Sequence, residues 1–363
     1  MIKVKFTTTF PEMPIIKVTP ESKGVVGNCQ FFANQEVENP DWWVIVEGLS
    51  KKEKAVCPPE NTILVTQETD LTKIYDPKFI KQFGWIITCN RKINHPRAIF
   101  RDQGYSSYLF MRRRKPGEKF SDWQDNFKSY DYLRAMTDIP KDKLMSVVAS
   151  HKTRTAGAKA RKEFIIKMKE HFKDGLDAFS NLPGVFGPDT KISGIKWNAV
   201  APYKYHLAIE NSLVPHYWTD KILDAYLAGA YPIYYGDPSV AEYFPKNSFT
   251  MIDINNIEES IKIIEKAISE NYCEKYKKEI WEARKLCLEK YNIFAVVADT
   301  ISSLPSGNKA KKISIRPEKR LSLVIKQKAI EIAQNIPVIY PTVKKIYRTY
   351  RKLRYNQKFE DEK

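Results

Sequence analysis

The sequence predicts a two-domain α/β protein with a basic extension at its C-terminal end. Its 363 residues exceed the size of one ordinary hydrophobic core, which favours two domains over one. Short apolar runs of strand length alternate with stretches of helical spacing, as in sheets flanked by helices. The last 55 residues hold 16 Lys and Arg against 5 Asp and Glu, so they supply +11 of the formal net charge of +17.

Four β-rich runs predict a parallel sheet in an N-terminal domain over residues 1–135. Turn-rich or helix-compatible stretches separate them, which fits crossover connections between parallel strands. The segment that follows, residues 121–143, lacks this pattern and is interpreted as a connector. The four runs are IKVKFTT (2–8), WWVIVEG (42–48), TILVTQE (62–68) and WIITCN (85–90).

A clearer alternation of strand and helix patterns predicts a second, doubly wound domain over residues 136–302. LMSVVAS (144–150) has the length and apolar character of a buried strand. The further strand candidates are LDAFS, YHLAIE, YPIYY and SFTMIDI. The helix candidates are the segment with Phe164, Ile165, Met168 and Phe172 at helical spacing, then residues 219–228, 257–270 and 275–291.

Residues 303–363 are predicted to form a basic amphipathic tail that begins with a hinge. In VKKIYRTYRKLRY (343–355) the apolar side chains fall on one helical face and basic ones fill the rest. Such a helix binds an anionic membrane surface, where each cation contributes about 1 kcal/mol. Two alternatives stay open, a helix packed on the protein body and a nucleic-acid-binding tail. No nucleic-acid-binding module accompanies it, so we do not expect nucleic acid as a partner.

Composition argues against several classes of protein. An apolar fraction of 43% with 28% charged residues is typical of a folded globular chain, and the sequence has no apolar window of membrane-spanning length. The five cysteines are far apart and the five histidines show no H-x-x-x-H spacing. We therefore expect buried thiols in a reducing compartment and no protein-held metal. The N-terminal residues do not resemble a secretory signal, so we expect a cytoplasmic location.

The segment YHLAIENSLVPHYWTDKILDAYLAG (205–229) carries the first candidate site. A strand runs into a loop and then into a helix with Thr219 as N-cap, which places Asp220 and Lys221 on the first helical turn. Ligands bind at this edge of an α/β sheet, where a lysine beside a helix N-terminus suits a phosphate and a carboxylate suits ribose hydroxyls. The alternative is an ordinary capped helix after a turn at Glu210 and Asn211. That alternative does not explain why the loop is aromatic.

A second basic loop, SHKTRTAGAKARKEF (150–164), follows the LMSVVAS strand and enters a helix. It places Lys152, Arg154, Lys159 and Arg161 at the carboxyl end of that strand. Cations oppose the dipole of a helix N-terminus, which disfavours the alternative of a solvated helix start. Two anion-binding loops in one domain predict a diphosphate ligand.

The motif over residues 203–245 resembles the signature of the α-1,3/4-fucosyltransferases, glycosyltransferase family 10. YKYHLAIENS, TDK and PIYYGDPSV match that family's Y-K-F-x-L-x-F-E-N-S, T-E-K and P-I-x-W-G-x-P-S-V elements. SVVASHKTRTAGAKARKEFI and GLDAFSNLPGVFG match segments upstream, and the similarity is strongest over residues 144–255. The resemblance implies a GT-B fold of two Rossmann-like domains facing a cleft. It also implies a GDP-sugar donor, GDP-fucose in characterised members, and inversion at the anomeric carbon.

The resemblance also implies roles for individual residues. Arg161 and Lys221 would contact the pyrophosphate and stabilise the charge that grows there as the glycosidic bond breaks. Asn211 and Tyr217 would line the donor pocket, and Asp220 would bind ribose. Glu210 and Arg154 complete the predicted donor-binding set. The chain departs from the family pattern at Asp220, where glutamate is usual, at Tyr235, where tryptophan is usual, and in the LVPH loop, which is usually rich in glycine.

An inverting transfer needs a carboxylate that takes the proton of the acceptor hydroxyl. In the family it comes from the N-terminal domain, in a segment of the form T-G-E-N-x-x-P. VTQETDLTKIYDP (65–77) has a similar form, which makes Glu68 the candidate base, with Asp70 and Glu47 in reserve. The alternative is that Glu68 only caps the end of a strand.

Together these inferences predict an inverting glycosyltransferase that moves L-fucose from GDP-fucose to a glycan hydroxyl. The predicted acceptor is a glycan or lipid-linked oligosaccharide of bacterial surface polysaccharide or lipopolysaccharide biosynthesis. The enzyme would lie at the inner face of the cell membrane, held peripherally by its tail. No tightly bound cofactor is expected, while stimulation by Mg or Mn arriving with the substrate stays open. The alternatives are a related transferase with another nucleotide-sugar and a non-catalytic membrane- or nucleic-acid-binding scaffold.

Overall fold

The computed structural model describes residues 1–9, 11, 13–105, 128–150, 156–180, 184–186, 196–307 and 309–318. In this part of the chain the strands form two large sheets and a two-stranded ribbon. Helices cover the sheets. None of the helices among these residues is both long and apolar enough to cross a membrane.

The first half of the described chain consists mainly of strands, and in the second half strands alternate with helices. The strands are β1 Ile2–Thr8, β2 Val25–Val26, β3 Cys29–Ala33, β4 Trp42–Val46, β5 Glu53–Cys57, β6 Thr62–Val65, β7 Trp85–Thr88, β8 Ala98–Phe100, β9 Lys143–Val148, β10 Leu176–Phe179, β11 Tyr203–Ile209, β12 Tyr231–Tyr235, β13 Thr250–Met251 and β14 Lys311–Ile315. The helices are α1 Pro77–Ile80, α2 Tyr130–Ala135, α3 Ala156–Phe172, α4 Asp220–Leu227, α5 Ile257–Ser269, α6 Tyr272–Lys275, α7 Lys277–Glu289 and α8 Ile293–Ser303. Helix α2 lies inside the segment interpreted as a connector.

The first sheet has seven strands in the order β2-β3-β1-β4-β6-β7-β8. Neighbouring strands are parallel except β2 with β3. Strands β4 and β6 are buried along their whole length, as expected for central strands covered on both faces. All four strands predicted for this half of the chain are confirmed, whereas β2, β3 and β8 were not predicted.

The second sheet has five strands in the order β10-β9-β11-β12-β13, and every neighbouring pair is parallel. Phe164, Ile165 and Met168 of α3 are fully buried against it, which confirms the helical spacing found in the sequence. The predicted strands of this half are confirmed. Helices α4, α5 and α7 fall inside the predicted helical segments. The prediction of two parallel α/β units is therefore confirmed.

Helix α8 packs on the first sheet, although the predicted boundary at residue 302 assigns most of it to the second domain. Phe294 lies against the rings of Phe6 and Phe31, with ring centroids 4.7 and 5.0 Å away. Among the described residues up to 105, the connections contain one short α-helix, α1, and three 3₁₀ turns, so they cover one face of the sheet incompletely. The chain returns from the second sheet to cover that face because its apolar strands must be buried.

Strand β14 pairs with β5 in an antiparallel ribbon and does not belong to a free tail. Its register runs from Lys311 opposite Cys57 to Ile315 opposite Glu53. Ile315 is 2% exposed and joins the apolar cluster on the second face of the first sheet. The predicted tail region therefore begins with a structured segment. The predicted amphipathic helix in residues 343–355 lies outside the described residues.

The two sheets meet at the carboxyl ends of their central strands. The loop after β6 touches the loop after β11, where the hydroxyls of Thr69 and Ser212 are 3.3 Å apart and buried. Cys89, just after β7, packs with Val214 and Tyr217 of the loop after β11 in a small apolar cluster. Parallel α/β sheets bind ligands at this edge, so a ligand site shared by the two units is expected here.

Candidate functional site

Glu210 is the first residue after β11 and organises the loop that follows. Its backbone N–H donates to the carbonyl of Tyr235, which joins it to β12. Its carboxylate is buried and accepts hydrogen bonds from the backbone N–H and the hydroxyl of Thr219, at 2.8 and 2.9 Å. Burial raises the pKa of Glu210, while the ammonium of Lys221 opposes this rise. The side chain of this predicted donor-binding residue therefore faces the start of α4 and holds the loop closed.

Lys221 lies on the first turn of α4, as predicted from the cap at Thr219. Its Nζ is 3.2 Å from Glu210 Oε2 and donates to the Thr219 hydroxyl at 2.8 Å. A weaker contact of 3.6 Å reaches Asp220 Oδ1. With 16% of its side chain exposed, Lys221 is a nearly buried cation whose position is set by three neighbours close in sequence.

Asp220 pairs with a cation that the sequence analysis missed. Lys196, in a 3₁₀ turn before β11, places its Nζ 2.9 Å from Asp220 Oδ2 and 2.5 Å from Asp224 Oδ2. Burial disfavours the charge on Asp220, but Lys196 and Lys221 outweigh burial and hold the pKa of its carboxyl below the ordinary value. Asp220 and Asp224 share one face of α4 with i, i+4 spacing, and Asp224 is fully buried. Two carboxylates on a buried helical face were the one signal that a distant cation was needed.

Arg161 joins α3 to the loop after β11. It is 4% exposed, and its guanidinium donates to the side-chain oxygen of Asn211 and, at 3.3 Å, to the hydroxyl of Ser150. Burial lowers the pKa of Arg161, and the charge of Glu210 counteracts this effect. Gly157 allows the close approach of α3, since a Cβ there would lie 3.0 Å from the carbonyl oxygen of Asn211. The predicted Arg154 lies outside the described residues.

Tyr217 is buried between the two units, 6% exposed, and packs with Cys89 of the first unit. Burial raises its pKa well above the ordinary value, and the charges of Glu210 and Glu68 add to the rise. The phenol of Tyr217 therefore lies within electrostatic range of a carboxylate from each unit. Asn211, by contrast, is exposed at the mouth of the loop.

Glu68 lies in the loop of residues 66–75, which faces the loop after β11. Its backbone carbonyl accepts a hydrogen bond of 3.3 Å from the side chain of Asn90, and its side chain is half-buried. Asp70, half-buried in the same loop, stays a reserve candidate. Glu47 is a poor candidate base because its carboxylate accepts hydrogen bonds from the backbone N–H of Gln67 and from the side chains of Lys73 and Tyr75.

The charges of this cluster balance. Arg161, Lys196 and Lys221 face Glu210, Asp220 and Asp224 within one network of contacts and electrostatic interactions. Fixed ion pairs of this kind are preorganised, but their sum attracts no further anion by itself. A diphosphate would therefore gain from additional cations before α3 and on its first turn, where the sequence places Lys152, Arg154 and Lys159. Within the part of the chain that the structure describes, no group of three His, Cys, Asp or Glu side chains could hold a metal ion.

Comparison with known protein families finds one match that contains this site. Residues 139–284 match the model described as glycosyltransferase family 10 (fucosyltransferase) C-term. The matched range includes Arg161, Lys196, Asn211, Tyr217 and the first turn of α4. The match is confined to residues 139–284, and Glu68 lies outside it.

Two curated relatives carry related names. The Helicobacter pylori protein Alpha-(1,3)-fucosyltransferase FucT is 35% identical over 95 residues, which are 24% of this chain and 20% of that protein. The Bos taurus GDP-fucose protein O-fucosyltransferase 3 is 42% identical over 48 residues, 13% of this chain and 10% of that protein. The matches thus cover a fifth or less of each relative.

Solved structures resemble this chain over most of its length but at low identity. An alpha1,3-fucosyltransferase crystallised with GDP matches with a TM-score of 0.44 at 18% identity, over 80% of this chain and 92% of that one. The same kind of enzyme with GDP-fucose matches with a TM-score of 0.42 at 16% identity, over the same shares. An alpha-glucosyltransferase in complex with UDP and DNA matches with a TM-score of 0.48 at 7% identity, over 84% and 100%.

Proposed function

Since residues 139–284 match the glycosyltransferase family 10 model, we propose that this protein transfers L-fucose from GDP-fucose to a glycan hydroxyl with inversion. One observation carries the proposal. Arg161 donates to side chains at the carboxyl ends of both β9 and β11, those of Ser150 and Asn211. Lys221 pairs at 3.2 Å with Glu210, the residue before Asn211. Preorganised cations at such an edge suit a leaving diphosphate.

In the proposed reaction, the bond between the anomeric carbon of fucose and the diphosphate oxygen breaks. Its electron pair stays on GDP, where Arg161 and Lys221 stabilise the growing charge more in the transition state than in the ground state. The acceptor oxygen attacks the anomeric carbon from the opposite face and gives its proton to the carboxylate of Glu68. Protons and charge then balance as a neutral Glu68 carboxyl, the new glycoside and GDP.

The remaining residues of the site bind and orient the donor in this proposal. Asp220 accepts hydrogen bonds from ribose hydroxyls, and Lys196 keeps its carboxylate charged and fixed at 2.9 Å. Asn211 and Tyr217 line the donor pocket. Glu210 acts through Thr219 and Lys221, since its own oxygens are already used in hydrogen bonds. Arg154 would add a further cation.

The proposed acceptor is a glycan or lipid-linked oligosaccharide of surface polysaccharide or lipopolysaccharide biosynthesis. A peripheral position at the cytoplasmic face of the cell membrane fits the basic tail, whose amphipathic pattern would bind anionic lipid. A second candidate donor, another nucleotide-sugar, is favoured by Tyr235 at the end of β12. The family usually has tryptophan at this position, close to the donor pocket.

The first test is the thermal stability of the purified full chain with GDP, UDP, CDP or GDP-fucose. A nucleotide at a hundred times its Kd stabilises the native state by about 2.7 kcal/mol, which is several degrees in Tm for a domain of this size. We expect GDP and GDP-fucose alone to raise the Tm. A rise with UDP instead would support the second candidate donor, and no rise with any nucleotide would support a non-catalytic scaffold.

Transfer itself is then measured as GDP release from GDP-fucose, with a panel of soluble oligosaccharide acceptors. The matched control for Lys221→Ala is Lys262→Ala, which removes an exposed lysine from α5 far along the chain from the site. Wild-type turnover in Lys221→Ala would overturn the assignment of the leaving-group site.

A further inference from the structure

Residues 311–318 pack against the first unit, although more than 200 residues separate them from that part of the sequence. After β14, Arg316 and Gln82 exchange two hydrogen bonds, of 2.9 and 3.1 Å, between backbone and side chain. Glu318 then turns inward, with 5% of its side chain exposed, and its Oε1 accepts from the backbone N–H of Asp76 at 2.8 Å. The segment therefore ends against the loop of residues 66–75.

Glu318 helps to neutralise a buried lysine in that loop. Lys73 Nζ lies 3.1 Å from Glu47 Oε2, 3.8 Å from Glu318 Oε2 and 3.8 Å from the ring centre of Tyr75. Only 8% of the Lys73 side chain is exposed. An ammonium withdrawn from water needs such partners, because an unpaired buried charge is strongly destabilising.

Lys73 is coupled through the backbone to Glu68, the proposed base. The side chain of Asn90 donates to the carbonyl of Lys73 at 2.9 Å and to the carbonyl of Glu68 at 3.3 Å, so one amide holds both ends of a tight turn. Within the turn, the backbone N–H of Lys73 donates to the carbonyl of Thr69 at 2.9 Å. A shift of Lys73 should therefore also move the segment that contains Glu68.

We propose that Glu318 is a positioning residue, which fixes Lys73 and the start of α1 so that the loop of residues 66–75 holds Glu68 at the reacting centre. This inference rests on the proposed function, since it assigns a purpose to the position of Glu68. Residues 311–318 were predicted to belong to a tail. In this proposal they support a catalytic residue in the N-terminal half of the chain.

The test compares full-length Glu318→Ala and Glu318→Gln with the control Lys312→Ala. Glu318→Ala removes both the ion pair with Lys73 and the hydrogen-bond acceptor for the backbone N–H of Asp76. Glu318→Gln removes the charge but keeps an acceptor for that N–H. Lys312 is an exposed side chain of the same segment. Misplacing a catalytic group by an ångström costs up to about a hundredfold in rate, so we expect kcat to fall by roughly tenfold or more in Glu318→Ala and by less in Glu318→Gln. The Kd for GDP and the KM for the donor should stay unchanged, because the donor site lies on the second unit.

A second measurement does not depend on activity. Amide hydrogen exchange in peptides covering residues 66–76 should be faster in Glu318→Ala than in the wild type and in Lys312→Ala, with exchange in α4 unchanged. If the wild-type chain transfers no sugar from GDP-fucose, the proposed function is wrong. The hydrogen-exchange measurement still tests whether Glu318 fixes the loop of residues 66–75. Wild-type kcat together with wild-type exchange in Glu318→Ala would overturn the inference. If that variant does not fold, Glu318→Gln decides by the same two readouts.

Discussion

Two loops meet where the carboxyl ends of the two sheets come together, and they are stabilised in different ways. In the loop after β11, Glu210, Thr219 and Lys221 satisfy one another within twelve consecutive residues. In the loop of residues 66–75, the buried Lys73 depends on Glu47, 26 positions earlier, and on Glu318, 245 positions later. The first loop is stabilised by residues of its own sequence motif. The second loop needs the rest of the folded unit, because its partners come from distant parts of the chain.

The two sides also differ in what their charges do. On the second unit, cations and carboxylates form a dense network. Burial raises the pKa of Glu210 and of Asp220, while the neighbouring lysines lower it. On the first unit, the charges near Glu68 serve to fix a backbone turn. We therefore expect substitutions on the second unit to change donor binding and leaving-group stabilisation. Substitutions on the first unit should change kcat alone.

The largest effect is expected for Glu68→Gln, which keeps the shape of the side chain but removes the proposed base. General base catalysis contributes about 10² to 10⁴ in rate, so kcat should fall by that factor. Steady-state kinetics with GDP-fucose and a soluble acceptor measure it, with the Kd for GDP as the internal control. A Kd that weakens in parallel with kcat would place Glu68 in donor binding and would break the contrast between the two loops. Asp70→Asn tests the reserve candidate in the same assay.

Lys221→Ala should lower kcat by about 10² to 10³, the usual cost of losing one preorganised charge stabiliser. It should also weaken GDP binding, unlike Glu68→Gln. Because the substitution leaves Glu210 buried without its cation, a loss of stability is expected as well. The double variant Glu210→Gln with Lys221→Ala separates the two effects, since it should recover stability but not turnover. Recovery of turnover would show that Lys221 matters only as a partner of Glu210.

Lys196→Met should act on the donor site through Asp220 and Asp224. Breaking a buried ion pair by removing one partner costs about 3 to 5 kcal/mol, so the free energy of unfolding should fall by an amount of that order. Adding Asp224→Asn should restore part of the stability, because the fully buried carboxylate would no longer be charged. Urea unfolding measures the stability, and the KM for the donor should rise in both variants. An unchanged donor KM would separate Asp220 from nucleotide binding.

The smallest effect is a dependence of stability on pH that arises in the second unit. His206 on β11 is buried beside Ser146, 2.9 Å away, and burial together with Lys196 lowers its pKa to about 3. The folded state thus keeps His206 neutral below pH 6.5, whereas the unfolded chain binds a proton there, so stability falls as the pH falls. Between pH 6.5 and 5 this group contributes a loss of about 1 to 2 kcal/mol. His206→Gln should make the decline in urea unfolding shallower, and an equal decline in both proteins would contradict this assignment.

Much of the second unit could be predicted because its signals are local. The spacing of Phe164, Ile165 and Met168 predicts α3, and Thr219 predicts the start of α4, since helical periodicity and caps depend on neighbours a few residues apart. The convergence of Arg161 and Asn211 also follows from strand order, because the carboxyl ends of parallel strands share one edge. Their roles toward a donor stay predictions.

The rest could not be predicted, since it depends on contacts between distant parts of the chain. No sequence pattern near Lys196 indicates that it pairs with Asp220. Helix α8 follows the second domain in sequence, and only the contacts of Phe294 with Phe6 and Phe31 show that it packs on the first sheet. Glu47 was a reserve base in the sequence, but tertiary contacts surround its carboxylate with donors.

The sequence alone determined the α/β class, the main strands and helices, and the donor-side motif, because periodicity, caps and loop chemistry act over a few residues. Only the tertiary structure decided where α8 and β14 pack and which partners neutralise Asp220 and Lys73. A buried charge is neutralised, and an apolar face is covered, by whichever segment the folded chain brings near it, and that segment can be distant in sequence. The proposed role of Glu318 depends on that second kind of information.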